Sequence, residues 1–143
     1  MTDTSTHTVI DVLMTYPNGV RKMSKDIAGL VQTSLNLGIL STIKPDDQST
    51  NGMVSFKSSV RSSIGSEKDA LLNSLKSLAT LAGGTLTVTG DYPAWEYRED
   101  SPLRDLMVKI FKQQYGKEPV IQALHAGVEC GIFASKLPGL DCV

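Results

Sequence analysis

His125 and Glu129 stand four residues apart. On a helix that spacing puts both side chains on one face, as metal ligation requires. Zinc takes at least three protein ligands, and the only other histidine is His7, in a polar stretch near the start. A structural role explains the same pair: His125 closes a strand, and Glu129 sits in the first turn of a helix, where the macrodipole favours an acid. Gly127 and Gly131 flank an expected strand-to-helix turn, whose free backbone N–H groups form an anion site; ordinary turn chemistry also accounts for them. Arg61 lies within Val60-Arg61-Ser62-Ser63. Its guanidinium can grip a carboxylate bidentately, which a lysine cannot copy, or it can simply be solvated. Cys130 has a candidate base in His125, but five residues on a continuous helix are about 140° round the axis, so contact needs a turn. Trp95 and Tyr92 read as docked apolar anchors.

The elements that must position these residues follow from hydrophobic spacing. Residues 9–15 suit a short helix or a strand, and Pro17-Asn18-Gly19 breaks the chain. Residues 20–29 look irregular or transiently helical. Val31, Thr33, Leu35, Leu37 and Ile39 alternate with polar residues or glycine, so period two assigns them to one face of a strand. A polar turn over residues 44–52 leads to a second strand, about 53–63, with Val54, Phe56, Ser58 and Val60 on one face and Lys57, Ser59 and Arg61 on the other. One loop between two strands predicts an antiparallel pair. Ser66 as N-cap with Asp69 three residues on, then Leu71, Leu75, Leu78 and Ala82, predicts a helix stopped by Gly83-Gly84. Leu86 and Val88 alternate with threonines and predict a third strand. Ser101-Pro102 opens another helix, with Leu103, Leu106, Met107, Ile110 and Phe111 as its stripe and Gly116 as its stop. Pro119–Leu124 predicts a short strand, residues after His125 a helix, and Asp141-Cys142-Val143 the beginning of a further strand.

The chain has 143 residues, 41% hydrophobic and 20% charged, with a net charge of -1. That suits one globular domain and argues against a nucleic-acid partner, which needs a Lys/Arg surplus on one face. No apolar run approaches the ~20 residues that span a bilayer, so no membrane association is expected. Residues 1–8 are polar, lack the apolar core of a secretory signal, and read as a disordered leader. Cys130 and Cys142, the only cysteines, have no Cys-x-x-Cys spacing, which fits a reducing, cytoplasmic compartment.

Tyr92-Pro93-Ala94-Trp95-Glu96, Asp100-Ser101-Pro102-Leu103 and above all His125-Ala126-Gly127-Val128-Glu129-Cys130-Gly131-Ile132-Phe133 resemble aminoacyl-histidine dipeptidase, the carnosinase-like Xaa-His dipeptidases of the zinc exopeptidase superfamily. Tyr16-Pro17-Asn18-Gly19-Val20, Val31-Gln32-Thr33-Ser34-Leu35-Asn36-Leu37-Gly38 and Val60-Arg61-Ser62-Ser63 resemble the same family in the same order, so the likeness runs from about residue 9 to 143.

The resemblance implies a mixed α/β (α+β) fold. Residues 9–90 are the latter half of a lid domain, a partial ferredoxin-like sheet with helices on one face that often dimerises. Residues 91–143 are a helix-strand-helix piece of the catalytic domain. Arg61 matches the lid arginine that binds the substrate carboxylate, and Gly127, with Ala126 and His125, the segment lining the substrate pocket. The zinc ligands and general base of the family lie before the lid or after the point where this chain stops. The expectation is therefore a fragment of a dipeptidase that binds dipeptide, holds no metal and cleaves nothing by itself, with the missing catalytic portion as partner and a homodimer through the lid sheet. A non-catalytic binding or dimerisation module, and a cysteine hydrolase built on Cys130, are the alternatives.

Overall fold

The computed structural model describes residues 2–44, 52–122 and 129–143. Its elements are α1 (Asp3–Thr15), β1 (Gly19–Met23), β2 (Val31–Ile43), β3 (Met53–Ser62), α2 (Gly65–Leu81), α3 (Pro102–Tyr115) and α4 (Glu129–Lys136). The three strands form one antiparallel sheet in the order β1-β2-β3.

α1 begins earlier than hydrophobic spacing suggests and takes in residues 3–8. Thr2 caps it by accepting a hydrogen bond from the Ser5 N–H at 3.2 Å, a local contact that needs no apolar periodicity. Tyr16 ends it with extended dihedrals (φ -62, ψ 126), because Pro17 disfavours the helical region for the residue before it. β1 occupies residues that look irregular in sequence. Gly19 enters it at φ 97, a conformation open to glycine, and the Asn18 carboxamide accepts from the Leu37 N–H at 2.8 Å. Nothing in Gly-Val-Arg-Lys-Met alternates; the strand exists because β2 supplies its ladder.

The predicted β2–β3 pair forms, with Thr33 opposite Ser62, Leu35 opposite Val60 and Leu37 opposite Ser58. Directly opposed residues share a face, so Leu35 and Val60 both point to the core. The register shifts between Leu37 and Ile39. This bulge moves Ile39 off the face that strict alternation assigns it and puts Leu40, opposite Phe56, there instead. The turn over residues 44–52 falls almost wholly outside the described residues.

α2 covers the core face. Leu71 and Leu75 are buried against Leu35, with Tyr16 and Val60 packed around them. Tyr16 stacks on Phe56 at 6.0 Å and shares a hydrogen bond with the Ser58 hydroxyl at 2.6 Å. Lys22 of β1 pairs with Glu67 of α2, a partly exposed link between the helix and the sheet. The N-cap is Ile64, two residues before the predicted Ser66, and its side chain makes no capping bond. Glu96, from far along the chain, takes that role: its carboxylate accepts from the Gly65 N–H at 3.0 Å. Gly83 ends the helix at φ 74.

Residues 85–89 form no strand and pair with none among the described residues, contrary to the prediction from Leu86 and Val88. Alternation marks a chain suited to a pleated, half-buried surface; a strand also needs a ladder partner. Residues 119–122 likewise form no strand, residues 123–124 lie outside the description, and 141–143 are unpaired. α3 follows its prediction in detail. Ser101 caps it by accepting from the Arg104 N–H at 3.2 Å, Pro102 begins it, and Gly116 closes it in the left-handed region. Its apolar stripe is largely exposed: Leu106 is 52% accessible and Met107 53%.

Candidate functional site

Arg61 projects from β3 on the sheet face opposite Val60. Its cross-strand partner is Ser34; Ser59 lies opposite Asn36 and Lys57 opposite Ile39. The face thus carries hydroxyls, a carboxamide and two cations, with Arg61 and Lys57 about 13 Å apart along the strand. Arg61 is exposed, and neither cation forms an ion pair among the described residues. Such a surface can receive a small carboxylate. His125, Ala126 and Gly127 lie outside the described residues. Glu129 is the exposed first residue of α4.

The seat of α4 is well defined. Gly131 is buried, and a Cβ there would stand 3.2 Å from the Pro93 carbonyl oxygen and 3.5 Å from Trp95 Cβ. This close approach, rather than turn chemistry, accounts for glycine at 131. Trp95 is half-buried at the contact, whereas Tyr92 is exposed. Beside this seam opens a cleft of about 440 Å³, lined by Gly65, Lys68, Asp69, Glu96, Ala134 and Ser135 among others. Two of its charges are already engaged. Lys68 donates to the Asp91 carboxylate at 2.6 Å and to the Tyr92 carbonyl at 2.7 Å, and Glu96 caps α2.

A further polar constellation, not singled out by sequence, surrounds Asp141. One carboxylate oxygen accepts from the Ser101 hydroxyl at 2.7 Å and the other from the Leu103 N–H at 2.9 Å. These bonds favour the ionised form. The Leu103 N–H, then the Ser101 hydroxyl, hold the carboxyl below its ordinary range against a smaller opposing effect of desolvation, with Arg98 and Arg104 assisting. Asp141 and Ser101 together serve the open N–H groups of α3. Arg98 donates to the Asp100 and Gly139 carbonyls at 2.7 and 3.0 Å. Arg104 donates to the Arg98 carbonyl at 2.8 Å and lies over the Tyr97 ring. Ser101-Pro102 announced the helix, but nothing local to Asp141 announced its partner forty residues earlier.

Among the described residues no three His, Cys, Asp or Glu side chains converge as metal ligands; the residues described do not fit a zinc centre.

No family model matches the chain. It is 37% identical over 139 residues to cytosol non-specific dipeptidase of Escherichia coli strain K12, an alignment covering 97% of this chain and 27% of that protein. Its fold matches the crystal structure of aminoacylhistidine dipeptidase from Vibrio alginolyticus with a TM-score of 0.79 and 35% identity, over 91% of this chain and 25% of that one. The chain spans about a quarter of the length of these relatives. Both are enzymes of the kind that the ordered motifs resemble, and the mixed α/β fold agrees with that likeness.

Proposed function

We propose, for a chain that belongs with the aminoacyl-histidine dipeptidases over one segment of their length, that it supplies the substrate grip of a dipeptidase. The observation that carries this is the correspondence to dipeptidases along 97% of the chain, rather than at one motif. Residues 9–90 act as the latter half of a lid and 91–143 as part of the catalytic domain. Arg61 anchors the terminal carboxylate of an Xaa-His dipeptide; its exposed guanidinium, set among Ser34, Ser59 and Asn36, supports that role. The segment His125-Ala126-Gly127 offers backbone N–H groups to a carboxylate or oxyanion of the substrate.

The whole enzyme is, in this reading, a zinc-dependent peptide hydrolase of the cytoplasm. Its metal ligands and general base come from polypeptide other than these residues. This chain alone binds no zinc, cleaves nothing and needs that catalytic portion as its partner. No described helix is long and apolar enough to cross a membrane, and neither membrane nor nucleic acid is a partner.

A graft tests the proposal. Residues 9–143 replace the matching stretch of the Escherichia coli dipeptidase, and kcat/KM is measured on an Xaa-His dipeptide. The graft is expected to be active. Arg61→Gln within it lowers kcat/KM by about 10–100-fold, the worth of a charge-assisted contact, and the loss vanishes for a substrate with an amidated C-terminus. An Arg61→Gln graft as active as its parent would remove the carboxylate role.

A second reading, a binding module that forms a homodimer through the lid sheet, is favoured by β1 and β3 both being edge strands. The exposed apolar residues Ile39, Leu40, Ile43 and Met53 at one end of the hairpin support it too. Light scattering separates the two: a stable dimer indifferent to dipeptide favours the module.

A further inference from the structure

Cys130 and Cys142, with eleven residues between them in sequence, meet in the fold. Cys130 is the second residue of α4. Its thiol donates to the main-chain carbonyl of Val143 at 3.9 Å, so the first turn of α4 lies against the stretch that carries Cys142. Cys142 immediately precedes Val143, so the Cys130 sulfur lies against the backbone next to the second cysteine. Both are free and half-buried, reachable by a small molecule.

The backbone that carries each sulfur is anchored. Asp141, next to Cys142, is held by Ser101 and Leu103, and the Gly139 carbonyl is held by Arg98. On the other side, Gly131, next to Cys130, is wedged against Pro93 and Trp95. Two thiols presented to one another by fixed backbone can close a bond without the rearrangement that separated cysteines require.

We propose that Cys130 and Cys142 form an oxidation site that a small peroxide converts to an intramolecular disulfide and a thiol reductant restores. The Cys130 thiolate attacks one peroxide oxygen; the O–O bond breaks, water departs after protonation, and Cys130 is left as a sulfenic acid. The Cys142 sulfur then attacks the sulfenic sulfur. The S–S bond forms, hydroxide leaves and takes up the Cys142 proton as water. Two electrons pass from the thiol pair to the peroxide. Burial, then the nearby Cys130 and Asp141, push the Cys142 thiol above its ordinary range, which leaves less of it as the thiolate that attacks peroxide first. The disulfide ties the first turn of α4 to the residue beside the α3 cap. It rests on these two thiols alone and is independent of the dipeptidase reading.

The test treats the full chain, dilute, with hydrogen peroxide, blocks remaining thiols with iodoacetamide and maps the digest without reductant. Two alkylatable thiols per chain are expected to fall to none. A peptide joining the Cys130 and Cys142 segments appears and is lost again on adding dithiothreitol. Cys142→Ser abolishes the link and lets peroxide carry Cys130 on to sulfinic acid. Chiefly cross-chain dimers, or sulfinic acid on Cys130 while Cys142 stays alkylatable, overturn the proposal. So does a link that forms as fast in concentrated urea as in the folded chain, since proximity then owes nothing to the fold.

Discussion

Leu35, Leu71 and Leu75 close a small apolar core between the sheet and α2, whereas the start of α3 and the described residues 139–143 are organised round a buried serine and a carboxylate. Ser101 is 1% accessible, as Leu35 is, and its hydroxyl donates to Asp141 and accepts from the Arg104 N–H. The first region is held by non-directional burial, which depends on volume. The second is held by directional bonds to helix ends and carbonyls, which depend on geometry and ionisation. The apolar residues of α3 stay largely at the surface, so that helix owes its definition to its caps. The two regions should therefore fail differently.

The largest effect is expected in the core. Leu75→Ala removes a buried side chain from a cluster with few others to compensate, and costs about 2–5 kcal/mol. Leu106→Ala, on the exposed stripe of α3, changes stability by no more than about 0.5 kcal/mol. Urea denaturation of both variants checks the contrast, and equal losses would erase the distinction between the regions.

Ser101→Ala comes next. It removes a cap and leaves the Asp141 carboxylate without one of its donors, at a cost of about 1–2 kcal/mol. Hydrogen exchange should show the amides of the first turn of α3 losing protection while those of α2 keep theirs. Matching losses in both helices would mean that the regions unfold as one unit.

The smallest effect is pH-dependent. Because its hydrogen bonds hold Asp141 below the ordinary carboxylate value of 3.8, its contribution is complete above that value. It is lost as pH falls through the lower folded-state value. Thermal midpoints of the parent chain should drop on acidification more steeply than those of Asp141→Asn, in which this carboxyl no longer titrates. Superimposable acid limbs would remove Asp141 from the list of groups that sense pH.

Legibility in the sequence varied with the range of the interactions. Antiparallel pairing of β2 and β3 was readable because alternation and one connecting turn are local patterns. The bulge before Ile39 was not, since a register shift is defined only against a partner strand. The apolar positions of α2 were readable, but its capping group was not: Glu96 approaches from thirty-one residues away. Of the candidate site, Arg61 could be placed on an exposed sheet face from alternation alone. The seat of Gly131 against Pro93 and Trp95 required the fold.

By itself the sequence determined α3 from Ser101 to Gly116, the inward positions of α2, and the ordered motifs that align it with dipeptidases. Each depends on neighbours within a few residues, or on residue identity alone. Only the tertiary structure decided that Gly19–Met23 is a strand while residues 85–89 are not. It also decided that Asp141 serves the start of α3, and that two cysteines remote in sequence lie together. Pairing, capping from a distance and the approach of one cysteine to the backbone beside another are properties of two segments at once, and no single segment encodes its partner.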